Sequence, residues 1–209
     1  MQAKIREAIN EARAKLDELE KSRDEALKIV RDIISSSGKA ITYLLSGRHG
    51  EAELELSRME ESRRKLDEAL KGYPELMYSG FAQSAYAEYV EAVALHHILS
   101  KKHLPRPSEL NVHPSAFLLG VADLIGELRR LCLDKVRLDD IDGAFELLDL
   151  MDEIYLALRE LDYPDPLVPG LRHKVDTMRR VIDDTRAMLV DVENRTKLRK
   201  TLESRGTNT

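Results

Sequence analysis

A hydrophobic stripe near the N-terminus constrains this chain more than any other feature. Ile5, Ile9, Ala12, Leu16, Leu19, Arg23, Ala26, Val30, Ile33, Ser37, Ile41 and Leu44 follow one another in steps of four and three. A period near 3.5 residues marks the seam of a helix. Only Arg23 and Ser37 interrupt it, so the spacing predicts one very long helix from about Ala3 to Leu45. Such a helix would span about 60 Å, more than a compact domain of 209 residues can cover. Self-association is the natural way to bury its far end.

The remaining punctuation is also helical. A second helix is expected over Glu51–Lys71, closed by Gly72 and Pro74, and a third over Glu75–Lys102 with a break near Ser79-Gly80. A loop with Pro105, Pro107 and Pro114 leads to a fourth, Ala116–Val136, for which Ser115 is the expected N-cap. A fifth covers Asp140–Leu161. The cluster Pro164, Pro166, Pro169 and Gly170 separates it from a last helix, Leu171 to about Leu202, with a frayed tail over 204–209. Only 5% of the residues are aromatic, and no segment alternates as a strand would. The expectation is an all-α chain, a single domain over 1–209 with six to seven helices.

No apolar run approaches the ~18 residues of a membrane span. The first thirty residues are too charged for a secretory signal, so a cytoplasmic protein without membrane attachment is expected. Cys132 is the single cysteine, which leaves any metal site to oxygen and nitrogen ligands. The net charge of −5 argues against a surface that grips nucleic acid all over. Phosphate binding would need a local patch or an enclosed cavity.

Carboxylates set inside apolar helices carry the chemistry. Glu88 and Glu91 are three apart and share a face with Leu95, Ile98 and Leu99. Asp123 and Glu127 are four apart, forming a narrow polar strip with Arg130 and Asp134 within Phe117–Leu128 and its continuation. Gly120 and Gly126 in that helix point to close helix approach. Four facing carboxylates would repel one another and demand cations. An oxygen-ligated divalent ion, Mg²⁺ or Mn²⁺, meets that demand. Neutralisation of Asp123 or Glu127 by Arg129 and Arg130 is the plainer alternative. The Glu-x-x-His pairs of di-iron bundles are absent.

The run Gly120-Val121-Ala122-Asp123-Leu124-Ile125-Gly126-Glu127-Leu128-Arg129-Arg130 resembles the signature helix of the translin family, in its TRAX-like (translin-associated factor X) branch. Tyr89-Val90-Glu91-Ala92-Val93, Asp32-Ile33 through Leu45, Asp140-Ile141-Asp142 and Val192-Glu193-Asn194 extend the likeness over about residues 20–200. The resemblance implies an all-α fold assembled into closed hexameric or octameric shells around RNA or single-stranded DNA. It implies a metal-dependent endoribonuclease whose catalytic acids fall on Glu88, Glu91, Asp123 and Glu127. Asp123 and Glu127 are the best ligands, Glu91 a ligand or general base, and Glu88 a further member of the set. Two positions depart from the family pattern: Ile125 stands for a usual Thr, and Asp140 for a usual Gly.

The expected activity is therefore Mg²⁺-dependent hydrolysis of single-stranded RNA inside a homo-oligomeric shell. A translin-type partner subunit would make a hetero-oligomer instead. The rival reading is a scaffold that binds RNA or single-stranded DNA without cutting it. Candidate nucleic-acid contacts are Lys101 and Lys102, ending the helix of Glu88 and Glu91, with Arg130 on the polar strip. Lys39 and Arg48 join them by their place in the resemblance. His97 falls where the branch also has a His, and Cys132 is expected in the core.

Overall fold

The computed structural model describes residues 1–101 and 103–206. Among them are eight helices and no strand: α1 (Gln2–Leu45), α2 (His49–Ala69), α3 (Pro74–Met77), α4 (Gly80–Lys101), α5 (Pro107–Leu110), α6 (Pro114–Arg137), α7 (Ile141–Arg159) and α8 (Leu171–Gly206). Six are long and two, α3 and α5, are single turns opened by a proline at N1, where its missing N–H is harmless. The chain's contacts gather into two compact units, one over Met1–Phe117 and one from Leu118 onward. No helix among the described residues is long and apolar enough to cross a membrane.

In the first unit α1 packs along α2 and α4. The stripe on α1 divides in two. From Ala26 onward its members Ala26, Val30, Ile33, Ser37, Ile41 and Leu44 are buried. Ile5, Ile9 and Leu16 lie at 53%, 62% and 64% exposure, uncovered among the described residues. Helix α1 ends where Gly47 takes a φ of 69° and the Arg48 N–H bonds back to the Tyr43 carbonyl at 2.9 Å. A left-handed residue there is most easily a glycine. Met59 and Leu66 of α2, Leu70 just beyond it, Ile33 of α1 and Ala82, Ala85 and Ala92 of α4 are all buried in this unit.

Polar groups fix the α2–α4 contact as firmly as apolar ones. Arg63 is 5% exposed. Glu60 grips its guanidinium at 2.9 Å through both Nε and Nη2, and Asp67 takes Nη1 at 2.6 Å. From α4, the Tyr86 hydroxyl donates to Asp67 at 2.6 Å and the Tyr89 hydroxyl to Glu60 at 2.8 Å. The Arg63 guanidinium carbon sits 5.4 Å from the Tyr89 ring centre. Arg63, then Tyr89 and Arg64, hold the Glu60 carboxyl down at about 2 against the opposing effect of burial. Burial and the neighbouring carboxylates push both tyrosines up.

In the second unit α7 packs on α8, with Leu124, Ile125, Leu128, Met151, Ile182 and Leu189 fully buried. The Asp140 carboxylate caps α7 by accepting from the Gly143 N–H at 3.0 Å, and Lys135 holds its other oxygen at 2.6 Å. Its φ of −88° explains why a residue other than glycine is accommodated there. Cys132 is buried as expected, its thiol donating to the Ala144 carbonyl at 3.4 Å and pushed up to about 11 by burial.

Three local expectations are corrected. The helix expected to begin after Ser115 begins at Pro114, so Ser115 lies buried in its first turn and is not the cap. Proline at N1 displaces the boundary upstream. Gly126 is exposed, and a Cβ there would meet nothing within 4 Å, so it marks no close approach among the described residues. Helix α8 continues through Gly206, beyond the expected end, and 207–209 lie outside the described residues.

The Arg63 cluster gives a test of the fold. Replacing Arg63 with Met leaves Glu60 to Arg64 and Tyr89 and Asp67 to Tyr86, and we expect a loss of about 1–3 kcal/mol in urea unfolding at pH 7. Because Glu60 is lowered from 4.5 to about 2, the stability it confers is complete above 4.5 and disappears as the pH falls towards 2. Acid titration of the native chain should show that decline, and R63M should show a shallower one.

Candidate functional site

Helix α4 is apolar on nearly all sides: Ala82, Ala85, Ala92, Ala94, Val90 and Leu95 are buried. Glu88 and Glu91 therefore enter surroundings that helices seldom give to acids. Glu91 is 9% exposed. Glu88 is half-buried and faces α1, where Ser37 Oγ lies 3.0 Å from the Glu88 carbonyl oxygen and 3.3 Å from its Oε2. A serine hydroxyl has one proton, which can serve either acceptor. This accounts for the polar interruption of the stripe at Ser37, which is itself 0% exposed. The hydroxyl marks the place where α1 passes a carboxylate.

In the second unit Asp123 and Glu127 lie one turn apart on α6, both half-buried. Their partners differ. Lys174, in the first turn of α8, forms an ion pair with Asp123 Oδ1. Glu127 Oε2 is buried and accepts no hydrogen bond. Its nearest cation is Arg130 Nη1 at 3.9 Å, beyond hydrogen-bonding range. The expectation that Arg129 and Arg130 neutralise this pair is thus corrected for Asp123, which α8 supplies instead. Lys174 went unnoticed in the sequence because 51 residues separate it from its partner. The only local hint is a lysine where the helix dipole disfavours one.

The donor set suits a hard divalent cation. Mg²⁺ commonly takes one or two carboxylates and completes its shell with water and substrate phosphate. Asp123 and Glu127 offer two carboxylates, one already attracting a cation and the other with an unused buried oxygen. Among the described residues no three His, Cys, Asp or Glu side chains form a metal-holding group. Glu88 and Glu91 belong to the first unit, Asp123 and Glu127 to the second.

The cationic candidates have different surroundings. Arg48 is exposed, paired with Glu51 at 3.0 Å through Nε and stacked 4.4 Å from the Tyr43 ring centre. Lys39 is exposed beside a shallow groove between α1 and α2, shared with Arg58 and Lys65 but also with Asp32 and Glu61. Arg130 is 58% exposed. Lys101 closes α4, and Lys102 lies outside the described residues. His97 stacks edge-on against His103, with ring centres 5.2 Å apart.

Fold and site together define an all-helical protein with carboxylate pairs set into apolar helices. The sequence profile of the Translin family spans residues 4–185, and the chain belongs to that family. It is 30% identical to an uncharacterized protein of Methanocaldococcus jannaschii over 87% of this chain and 81% of that one. It is 25% identical to Translin-associated protein X of Pongo abelii over 67% of this chain, spanning 62% of that protein's length. Among solved structures, an AfC3PO–duplex RNA complex superposes with a TM-score of 0.80 at 37% identity, covering 88% of this chain and 96% of that one.

The Ser37 contact predicts that Ser37→Ala lowers the free energy of unfolding by about 1 kcal/mol. Far-UV circular dichroism should stay unchanged while the urea midpoint falls.

Proposed function

We propose that this chain is a metal-dependent endoribonuclease acting on RNA within an oligomeric shell. The observation that carries the reading is the buried, unbonded Oε2 of Glu127, one helical turn from Asp123. An acid oxygen withdrawn from water with no hydrogen bond, and with only the Arg130 ion pair at 3.9 Å, is costly unless a closer positive charge completes it. The likeness to AfC3PO, whose complex holds duplex RNA, supports RNA as the ligand class. The sequence resemblance adds Glu88 and Glu91 to the acid set and favours single strands, with single-stranded DNA as a further ligand.

Asp123 and Glu127 would hold Mg²⁺ or Mn²⁺. Such an ion supplies a water of lowered pKa and positive charge for the phosphate in transit. The chain's own residues do the rest. Glu91, withdrawn from water on α4, would serve as a further ligand or as the general base. Glu88 is kept in place by Ser37. A shell that encloses its ligand also reconciles RNA binding with a net charge of −5, because cations need line only the interior.

The test is cleavage of labelled single-stranded and duplex RNA with Mg²⁺, with EDTA, and with Mg²⁺ plus Glu127→Gln. Magnesium-dependent cutting, lost by at least roughly 100-fold in E127Q while RNA is still bound, is the expected result. Cutting that persists in E127Q places the chemistry elsewhere. Binding without cutting selects the non-catalytic scaffold.

The same proposal predicts assembly. Light scattering should give a mass several times 23.8 kDa, as for a hexamer or octamer. Placing glutamates at Ile9 and Leu16, on the uncovered part of α1, should lower that mass without reducing helix content.

A further inference from the structure

Lys174 is the residue of the second unit whose position the proposed chemistry has not used. It occupies the first turn of α8, its N–H bonding to the Gly170 carbonyl at 3.1 Å. A cation in that turn faces the positive end of the helix dipole and gains nothing from the helix itself. What holds its ammonium is Asp123 across from it on α6. Both side chains remain accessible, at 33% for Lys174 and 36% for Asp123. They line a cleft of about 350 Å³ with Gly126, His173, Thr177 and Met178, roomy enough for an ion that retains water.

We propose that Lys174 is a resident cation that a divalent ion must displace from Asp123, so that metal occupancy is set by competition with the chain's own ammonium. This rests on the reading of Asp123 and Glu127 as cation ligands. Three observations support the competition. A half-exposed ion pair is weak, which keeps Lys174 displaceable. The ammonium leaves Glu127 Oε2 unbonded, whereas a doubly charged ion placed on Asp123 has a second carboxylate one turn away. A lysine also carries its charge as a point on a flexible stem, so it can leave the carboxylate without moving the helix, unlike an arginine locked in a bidentate fork.

The experiment is a Mn²⁺ titration without RNA, read by the electron paramagnetic resonance of free Mn²⁺, on the native chain, Lys174→Gln, Lys174→Met, Lys174→Arg and Asp123→Asn. Removing the charge should tighten Mn²⁺ by up to roughly fivefold, the shift that losing a weak competing pair of about 1 kcal/mol produces. K174R should bind no tighter than the native chain, and D123N should lose the ion. The Mn²⁺-induced rise in Tm, measured against EDTA, should be larger in K174Q and K174M than in the native chain. Because it is read on folded protein, this also guards against a variant that is merely unstable. Unchanged or weaker binding in both neutral variants, with D123N still losing the ion, overturns the competition and leaves Asp123 a metal ligand. Tightening in K174R as well would also overturn it. Absence of Mn²⁺ binding in the native chain and in both neutral variants overturns the competition together with the cation reading of the pair.

Discussion

A guanidinium withdrawn from water has to be neutralised within the fold, and Arg63 shows how much structure that requirement organises. Glu60 and Asp67, three residues before it and four after, reach it from the same helix. The neutralised group then still has carboxylate oxygens to satisfy. Tyr86 and Tyr89 supply the hydroxyls, and they stand three apart on one face of α4. A rotation of α4 about its axis would break both bonds at once. The angular position of α4 is therefore set by a polar cluster on its α2 side. Ser37 meets Glu88 on its α1 side, so the direction taken by the first acid pair follows from where Arg63 is buried. A cluster of this kind adds little net stability compared with a well-packed apolar one. What it adds here is an orientation, which alanine-rich helix faces leave loosely specified.

How much of this was readable beforehand depends on whether the signal was local. The 3.5-residue stripe gave α1 almost to the residue, because forty residues of consistent spacing leave no other regular structure open. Gly72 and Gly170, both with positive φ, lie where the sequence marks a helix end or start. The single-turn helices at Pro74 and Pro107 carry no period and could not be seen. The acid pairs were visible because three- and four-residue spacings in an apolar context are local facts. Their partners were not. Ser37 looked like a flaw in a seam, and Lys174 like any charge at the start of a helix. Each acquires meaning only through a contact 51 residues away.

The stripe also shows where periodicity misleads. It is uniform in sequence but not in burial: the part beyond Ala26 packs inside the chain, and the part before it stays in solvent. Periodicity reports that a face is apolar and says nothing of what covers it. Ile5, Ile9 and Leu16 lie along a helix of 44 residues, about 66 Å long. Helices α2 and α4, of 21 and 22 residues, are about half that length and can cover only part of it. An uncovered apolar stripe on an otherwise highly charged chain is what an assembling subunit would carry.

Local charge balance separates the two carboxylates of α6 more sharply than their spacing would. Asp123 has a lysine, whereas Glu127 has an arginine paired at 3.9 Å and a buried oxygen without a hydrogen bond. A purely structural pair would be expected to be satisfied on both sides, because an unsatisfied buried oxygen lowers stability for no return. A pair that bound a cation reversibly, as proposed, would face a different requirement. Two vacant carboxylates one turn apart repel each other, and a single monovalent partner on one of them relieves part of that repulsion. It does so without offering the full neutralisation that would compete too well with a divalent ion. Lysine at the wrong end of a helix suits that role: charged enough to quiet Asp123, and held by little else.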